Sequence, residues 1–103
     1  DLDVFVAALQ GGGFSGPLSF YRNLENNWHD LADMAGKKLT VPAMFLGAEY
    51  DVATWWGKEA IDRAPEVMTN WMGAHVIDGA GHWLQQERPD ETNRVVGRFL
   101  SSF

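Results

Sequence analysis

Asp51 and His82 are the residues of this 103-residue sequence whose types and spacing could support chemistry. Each comes just after a short apolar run that is typical of a β-strand, and one helix fits between the two runs. Reactive groups in open parallel sheets lie in the loops just beyond the carboxyl ends of the strands. A carboxylate beside a histidine fixes the tautomer of the ring and stabilises the imidazolium. We therefore predict that these two side chains meet and form the acid and base of a catalytic triad.

The second part of the chain alternates strand and helix patterns. The apolar run at residues 41–48 is continuous, which favours a strand buried on both faces. A shorter run at residues 74–78 predicts a second strand, with a helix at residues 57–64 between them. Pro89, followed by two acidic residues, marks the start of a last helix. This order predicts an α/β fold with a parallel sheet.

The first third of the chain has only helical spacing of apolar residues. Residues 1–10 predict a helix that stops at a glycine triplet, and residues 17–35 predict one helix or two with a bend. Gly36 follows as a C-terminal cap. We therefore expect two parts, a helical layer over residues 1–36 and an α/β part over residues 37–103. Because the chain starts inside an apolar-periodic segment, we read its beginning as a cut through a longer protein.

Composition excludes several function classes. The net charge of −6 disfavours nucleic acid as a partner, and no apolar run has the length of a membrane span. The absence of cysteine fits a cytoplasmic protein, which is the location we predict. There is no serine elbow, no phosphate-binding glycine loop and no HExxH motif, and the three histidines suggest no metal site. We expect no cofactor.

On pattern alone, some aromatic residues keep two interpretations. Tyr21 lies on a predicted amphipathic helix, where core packing is the simplest role. Trp83 lies near the predicted rim of the sheet, where lining a pocket and packing are both reasonable. His29 and His75 lie in no such context and suggest no chemistry.

Three segments resemble the α/β-hydrolase epoxide hydrolases, in that family's order. GFSGPLSFYRN at residues 13–23, with Asn-Trp at 27–28, resembles a lid segment of the family. VPAMFLGAEYDV at residues 41–52 resembles its strand and acid loop, and GAGHWLQQERP at residues 79–89 resembles its histidine loop. The resemblance implies that the chain is the C-terminal part of such an enzyme. Residues 1–36 would then end the helical lid, and residues 37–103 would form the C-terminal part of the core.

The resemblance also implies a mechanism and a role for each matching residue. In the family, an aspartate attacks an epoxide carbon to form an ester, two lid tyrosines assist the epoxide oxygen, and a histidine activates water to give a 1,2-diol. Tyr21 matches the second lid tyrosine, His82 the base, Asp51 its orienting acid and Trp83 a pocket-wall position. The family's nucleophile, oxyanion-hole segment and first lid tyrosine have no counterpart in these residues. We therefore expect the chain alone to be inactive and unable to fold stably.

Two alternatives stay open beside an epoxide hydrolase that takes a small apolar epoxide and water. One is a dehalogenase or esterase of the same superfamily, which would not need a lid tyrosine at Tyr21. The other is a non-catalytic binding protein that keeps the fold and loses triad members. The sequence also leaves open a homodimer, the identity and stereochemistry of the epoxide, and the identity of the nucleophile.

Overall fold

The computed structural model describes residues 1–103, which form two compact units, Asp1–Gly36 and Lys37–Phe103. The first unit is entirely helical, and the second combines a two-stranded parallel sheet with helices. The α/β fold class with parallel strands is confirmed, because the two strands of the second unit pair in the same direction.

The first unit consists of three short helices and a 3-10 turn. Helix α1 runs two residues into the predicted glycine stop and ends before Gly13, whose φ of 67° is the left-handed conformation that glycine adopts at no steric cost. No side chain of this unit is buried, because short helices of this number enclose too little volume to form a core. The helices are α1 (Leu2–Gly12), α2 (Ser15–Arg22) and α3 (Leu24–Asp30), and the 3-10 turn is Ala32–Met34.

The second unit follows the predicted order with additional short helices. Between the two strands, where the sequence predicted one helix at residues 57–64, the chain forms three short helices over residues 52–67, and a further short helix precedes the last one. Gly57 and Arg63 lie at the breaks between the three helices, and Pro65 lies in the first turn of the third, where its missing N–H is tolerated. The elements are β1 (Ala43–Ala48), α4 (Val52–Trp56), α5 (Lys58–Asp62), α6 (Ala64–Val67), β2 (Trp71–Ile77), α7 (Leu84–Glu87) and α8 (Pro89–Leu100).

The two strands end level with each other. The register shifts between the pairs Ala43–Trp71 and Phe45–Ala74, where Gly73 of β2 has a φ of 99°, and from there the pairing is regular to Ala48–Ile77. Because Ala48 and Ile77 are the last residues of β1 and β2, the loops that follow both strands start at the same edge of the sheet. This edge is where the candidate residues lie.

A small apolar cluster lies beneath that edge. Ala48, Ile77 and Ala80 are fully buried, and Leu46 and Leu84 pack against them. Two of the three buried residues are alanines, so the backbones of the strand ends and of the histidine loop approach one another closely. The cluster therefore fixes the positions of the two strand ends from which the loops start.

Helix α4 lies close against β1. A methyl group on Gly47 would come within 2.5 Å of the Phe45 ring and 2.6 Å of the Thr54 hydroxyl. The same hydroxyl accepts a hydrogen bond from the backbone N–H of Ala48 at 3.3 Å. Glycine at residue 47 is therefore what allows the helix that follows Asp51 to pack on the strand that precedes it.

Candidate active site

Asp51 is the N-cap residue of α4. Its backbone is extended, with φ −86° and ψ 119°, and its Oδ1 accepts the N–H of Ala53 at 3.0 Å. Aspartate is a favoured cap because its carboxylate satisfies a free N–H of the first turn. The residue is only 8% exposed, so the cap holds a carboxylate in a largely enclosed place. Local helix chemistry thus fixes the direction of the acid.

The surroundings of Asp51 favour its ionised form. The hydrogen bond from the Ala53 N–H is the main cause that lowers the pKa of the Asp51 carboxyl below its ordinary value. Burial acts in the opposite direction, and the hydrogen bond and charge of His82 lower the pKa further. The net lowering keeps Asp51 an acceptor of hydrogen bonds at neutral pH.

The predicted contact between the two candidate residues is present. Nδ1 of His82 lies 3.2 Å from Oδ1 of Asp51, and the His82 side chain is 64% exposed. An ionised carboxylate can only accept a hydrogen bond, so Nδ1 carries the proton and donates. In the neutral ring, Nε2 is then left with a free lone pair. This is the tautomer that a general base requires.

Three consecutive residues join the acid loop (residues 49–51) to the histidine loop (residues 79–83). Oε2 of Glu49 accepts the N–H of Gly79 at 2.7 Å, and the N–H of Tyr50 donates to the carbonyl of Ala80 at 2.9 Å. The third contact is the one between Asp51 and His82. The two loops therefore form one hydrogen-bonded unit, in which the meeting of acid and base is the last of three cross-connections.

The histidine loop is also held by side chains that follow it. Gly79 has a φ of 65°, and its carbonyl accepts a hydrogen bond from the guanidinium of Arg88 at 3.1 Å. Oε2 of Glu87 accepts the N–H of Gly81 at 2.9 Å. Sequence reasoning did not single out Glu49, Glu87 or Arg88. The available signal was that all three lie inside the two segments that carry Asp51 and His82.

Trp83 packs against the candidate base. Its ring stands edge to face with the His82 ring, with centroids 5.1 Å apart and an interplanar angle of 80°. An edge-to-face arrangement is one of the two geometries that aromatic pairs prefer. The Trp83 side chain is itself 57% exposed, and its role as a pocket wall stays a prediction.

Tyr21 lies on α2 in the first unit and is 72% exposed. The structure brings together Asp51 and His82, both in the second unit. The approach of the Tyr21 hydroxyl to them stays a prediction.

No group of three or more histidine, aspartate and glutamate side chains is arranged as ligands for a metal ion. His75 has one acidic neighbour, with its Nε2 3.7 Å from Oε1 of Glu91. None of the helices combines the length and the apolarity that crossing a bilayer would require.

The chain is similar in sequence to curated epoxide hydrolases, although no protein-family model matches it. It is 57% identical over 100 residues to epoxide hydrolase B of Mycobacterium tuberculosis, covering 97% of this chain and 28% of that protein. Epoxide hydrolase A of the same organism is 41% identical, covering 98% of this chain and 31% of that protein. Bifunctional epoxide hydrolase 2 of Rattus norvegicus is 32% identical, covering 99% and 18%. The chain thus spans less than a third of the length of these relatives.

The chain also resembles solved structures of epoxide hydrolases. An epoxide hydrolase from an endophytic Streptomyces superimposes with a TM-score of 0.92 at 40% identity, covering 98% of this chain and 30% of that one. Epoxide hydrolase I of potato, Solanum tuberosum, gives a TM-score of 0.89 at 29% identity, with coverage of 99% and 33%. Both comparisons extend over almost all of the 103 residues.

Proposed function

Because the chain has the sequence and the fold of the C-terminal part of α/β-hydrolase epoxide hydrolases, we propose that it works within a longer protein that converts an epoxide to a 1,2-diol. In this proposal residues 1–36 end the helical lid, and residues 37–103 complete the core. The chain supplies the acid, the base and one lid tyrosine. The nucleophile would lie in the part of the longer protein outside these residues.

The contact between Asp51 and His82 is the observation that carries the proposal. It combines a buried, ionised carboxylate with an exposed imidazole whose Nε2 is free. A surface histidine with an incidental acidic neighbour would not need the acid to be enclosed. A base that must take a proton from water needs both a fixed ring and an open nitrogen.

The first half-reaction would open the epoxide. A carboxylate from outside these residues attacks one epoxide carbon, the carbon–oxygen bond breaks, and an ester forms. The electron pair of the broken bond stays on the epoxide oxygen as a developing alkoxide. An alkoxide is a poor leaving group, so the hydroxyl of Tyr21 would donate a hydrogen bond and then a proton to it.

The second half-reaction would use the pair described above. Nε2 of His82 takes a proton from water, and the resulting hydroxide attacks the carbonyl carbon of the ester. The carboxylate of Asp51 stabilises the imidazolium that forms, which returns its proton as the ester breaks down. Collapse of the tetrahedral intermediate releases the diol and leaves the nucleophile as a carboxylic acid. This acid passes its proton to the Tyr21 phenolate that epoxide opening left behind, which regenerates both the nucleophilic carboxylate and the Tyr21 hydroxyl. The balance is one epoxide and one water to one diol.

The substrate would be a small apolar epoxide. Trp83, beside the base, would supply part of an apolar wall on which such a molecule lies. A wall of this kind gives no strong preference among apolar groups of similar size, so the proposal stays at the level of the substrate class.

The proposal is tested with the complete protein and a His82→Asn variant, each mixed with a small aryl epoxide. The unmodified protein should release diol. The variant should stop after ester formation, so that its mass rises by the mass of one epoxide. Halide release from a haloalkane, or ester hydrolysis without diol formation, would instead favour the related hydrolases. Absence of turnover and of any covalent adduct with all three substrates would favour a binding protein.

A further inference from the structure

We propose that Glu49 is a positioning residue for His82. This inference rests on the proposed function, because it assigns Glu49 to the step in which His82 activates water. Glu49 would not touch the substrate. It would fix the position of Gly79, at the start of the histidine loop, so that the imidazole of His82 lies within hydrogen-bond distance of Asp51.

Glu49 is itself held firmly at three points. Its backbone N–H donates to the carbonyl of Ile77 at 3.0 Å, and its carbonyl accepts the indole N–H of Trp55 at 2.8 Å. Its side chain reaches Gly79, with 2.7 Å between Oε2 and the backbone nitrogen. Because both of its backbone groups are hydrogen-bonded, the backbone of Glu49 has a fixed position. Its carboxylate therefore binds Gly79 from a fixed point.

Gly79 is the residue of the histidine loop at which a hydrogen bond most strongly affects the course of the loop. It has a φ of 65°, where the chain turns sharply away from β2 three residues before His82. Glu49 binds its N–H and the Arg88 guanidinium binds its carbonyl at 3.1 Å. A glycine has more accessible backbone conformations than any other residue, so these two charged groups select one of them.

Glu87 contributes to the same loop in a different way. It accepts the N–H of Gly81 at 2.9 Å, but it lies on α7, which follows directly from the histidine loop. That bond shapes the loop internally. Among the acidic side chains, Glu49 is the one that ties the start of the loop to the acid loop, and it therefore sets the distance between acid and base.

A positioning role predicts a selective kinetic defect. Ester formation would depend on the nucleophile and on Tyr21, neither of which belongs to these two loops. Ester hydrolysis would depend on His82. A displaced imidazole should therefore slow hydrolysis about 10- to 100-fold, with little change in ester formation, because a misplacement of about 1 Å can cost 10²-fold. A merely stabilising role would slow both steps or neither.

The test compares three variants of the complete protein by rapid quenching and mass spectrometry. Glu49→Ala removes the acceptor, whereas Glu49→Gln keeps a carbonyl oxygen that can accept the same N–H without the charge. Glu59→Ala is the matched control, since Glu59 is an 87% exposed carboxylate on α5 that does not bind the histidine loop. We expect ester to accumulate in Glu49→Ala, substantial recovery in Glu49→Gln, and normal turnover in Glu59→Ala.

A second readout separates the failure of this inference from the failure of the proposed function. The proton on Nδ1 of His82 should give a downfield NMR resonance, which His82→Asn identifies by its loss. Glu49→Ala should broaden or shift that resonance even if the protein turns over no epoxide. An unchanged resonance, or equal slowing of ester formation and hydrolysis, would overturn the role of Glu49. Absence of both ester and diol in the unmodified protein would overturn only the proposed reaction.

Discussion

One oxygen atom of Asp51 serves two partners: Oδ1 accepts the N–H of Ala53 at 3.0 Å and faces Nδ1 of His82 at 3.2 Å. The first contact caps α4, and the second orients the imidazole. The same carboxylate therefore caps a helix and contacts the imidazole of His82. Helix formation directs the acid toward the edge of the sheet where the histidine loop passes.

Asp51→Asn should strongly reduce turnover of the complete protein. The amide keeps an oxygen acceptor but loses the charge that stabilises the imidazolium, and the amide can rotate to present its NH2 group to the ring. We expect kcat for diol formation to fall about 10²- to 10⁴-fold. Asp62→Asn, which changes an exposed carboxylate on α5, is the matched control and should leave kcat unchanged. Full activity of Asp51→Asn would remove the acid from the mechanism.

Tyr21→Phe should slow ester formation. Loss of one hydroxyl donor to the developing alkoxide should reduce the rate of epoxide opening about 10²-fold, while hydrolysis of any ester that forms keeps its rate. Single-turnover kinetics with an aryl epoxide would measure the two steps separately. An unaltered rate of opening would favour a dehalogenase or esterase.

Stability should depend on the ionisation of Asp51 in acid. Its pKa is lowered in the folded chain, chiefly by the Ala53 N–H, relative to the unfolded value of about 3.9. The contribution of the carboxylate to the free energy of unfolding is therefore complete above the unfolded pKa. It is lost as the pH falls through the lower, folded pKa. The free energy of unfolding of the complete protein and of its Asp51→Asn variant should be measured with urea between about pH 3 and pH 7. The difference between the two values should become smaller as the pH falls. A gap that is constant with pH would contradict this account.

Gly47→Ala should destabilise the core. The added methyl group would meet the Phe45 ring at 2.5 Å and the Thr54 hydroxyl at 2.6 Å, so β1 and α4 would have to move apart. We expect a loss of about 1–3 kcal/mol in the free energy of unfolding. Gly97→Ala is the control, and its stability should change in the opposite direction. Gly97 lies within α8, and a methyl group there meets no atom within 4 Å. That variant should gain about 0.5–1 kcal/mol, and a loss of stability there would argue against the packing described.

The 103-residue chain alone should form no diol. In the proposed mechanism the nucleophile and the first lid tyrosine lie outside it, and large apolar side chains such as Phe20 and Trp56 are at least 80% exposed. A chain with this much exposed apolar surface is expected to aggregate or to stay loosely folded. Chromatography of diol products from the purified chain would check this. Measurable diol from the chain alone would refute the assignment of the nucleophile to other residues.

Periodicity and turn chemistry predicted much of the fold. The strand at residues 41–48 is observed as Ala43–Ala48, and the one at residues 74–78 as Trp71–Ile77. The start of β2 was missed because Gly73 interrupts the apolar pattern with a bulge that pairing with β1 stabilises. Helix α4 was missed because its start depends on the Asp51 cap rather than on a long apolar stripe.

The candidate site was predictable where it depended on strand ends. Asp51 and His82 were identified from types, spacing and chain order, and their contact follows from strands that end level with each other. The role of Glu49 could not be predicted in this way. Its side chain bonds the backbone of Gly79, which lies 30 residues further along the chain, and such a contact leaves no periodic trace in the sequence.

The three cross-connections between residues 49–51 and the histidine loop bear on how such proteins can be recombined. Consider a chimaera that takes residues up to 70 from one parent and residues from 71 onward from another. The two partners of each of these bonds would then come from different parents. Breakpoints before residue 43 or after residue 88 would transfer the whole set together. Libraries made by shuffling should therefore retain function far more often when the crossover lies outside that interval.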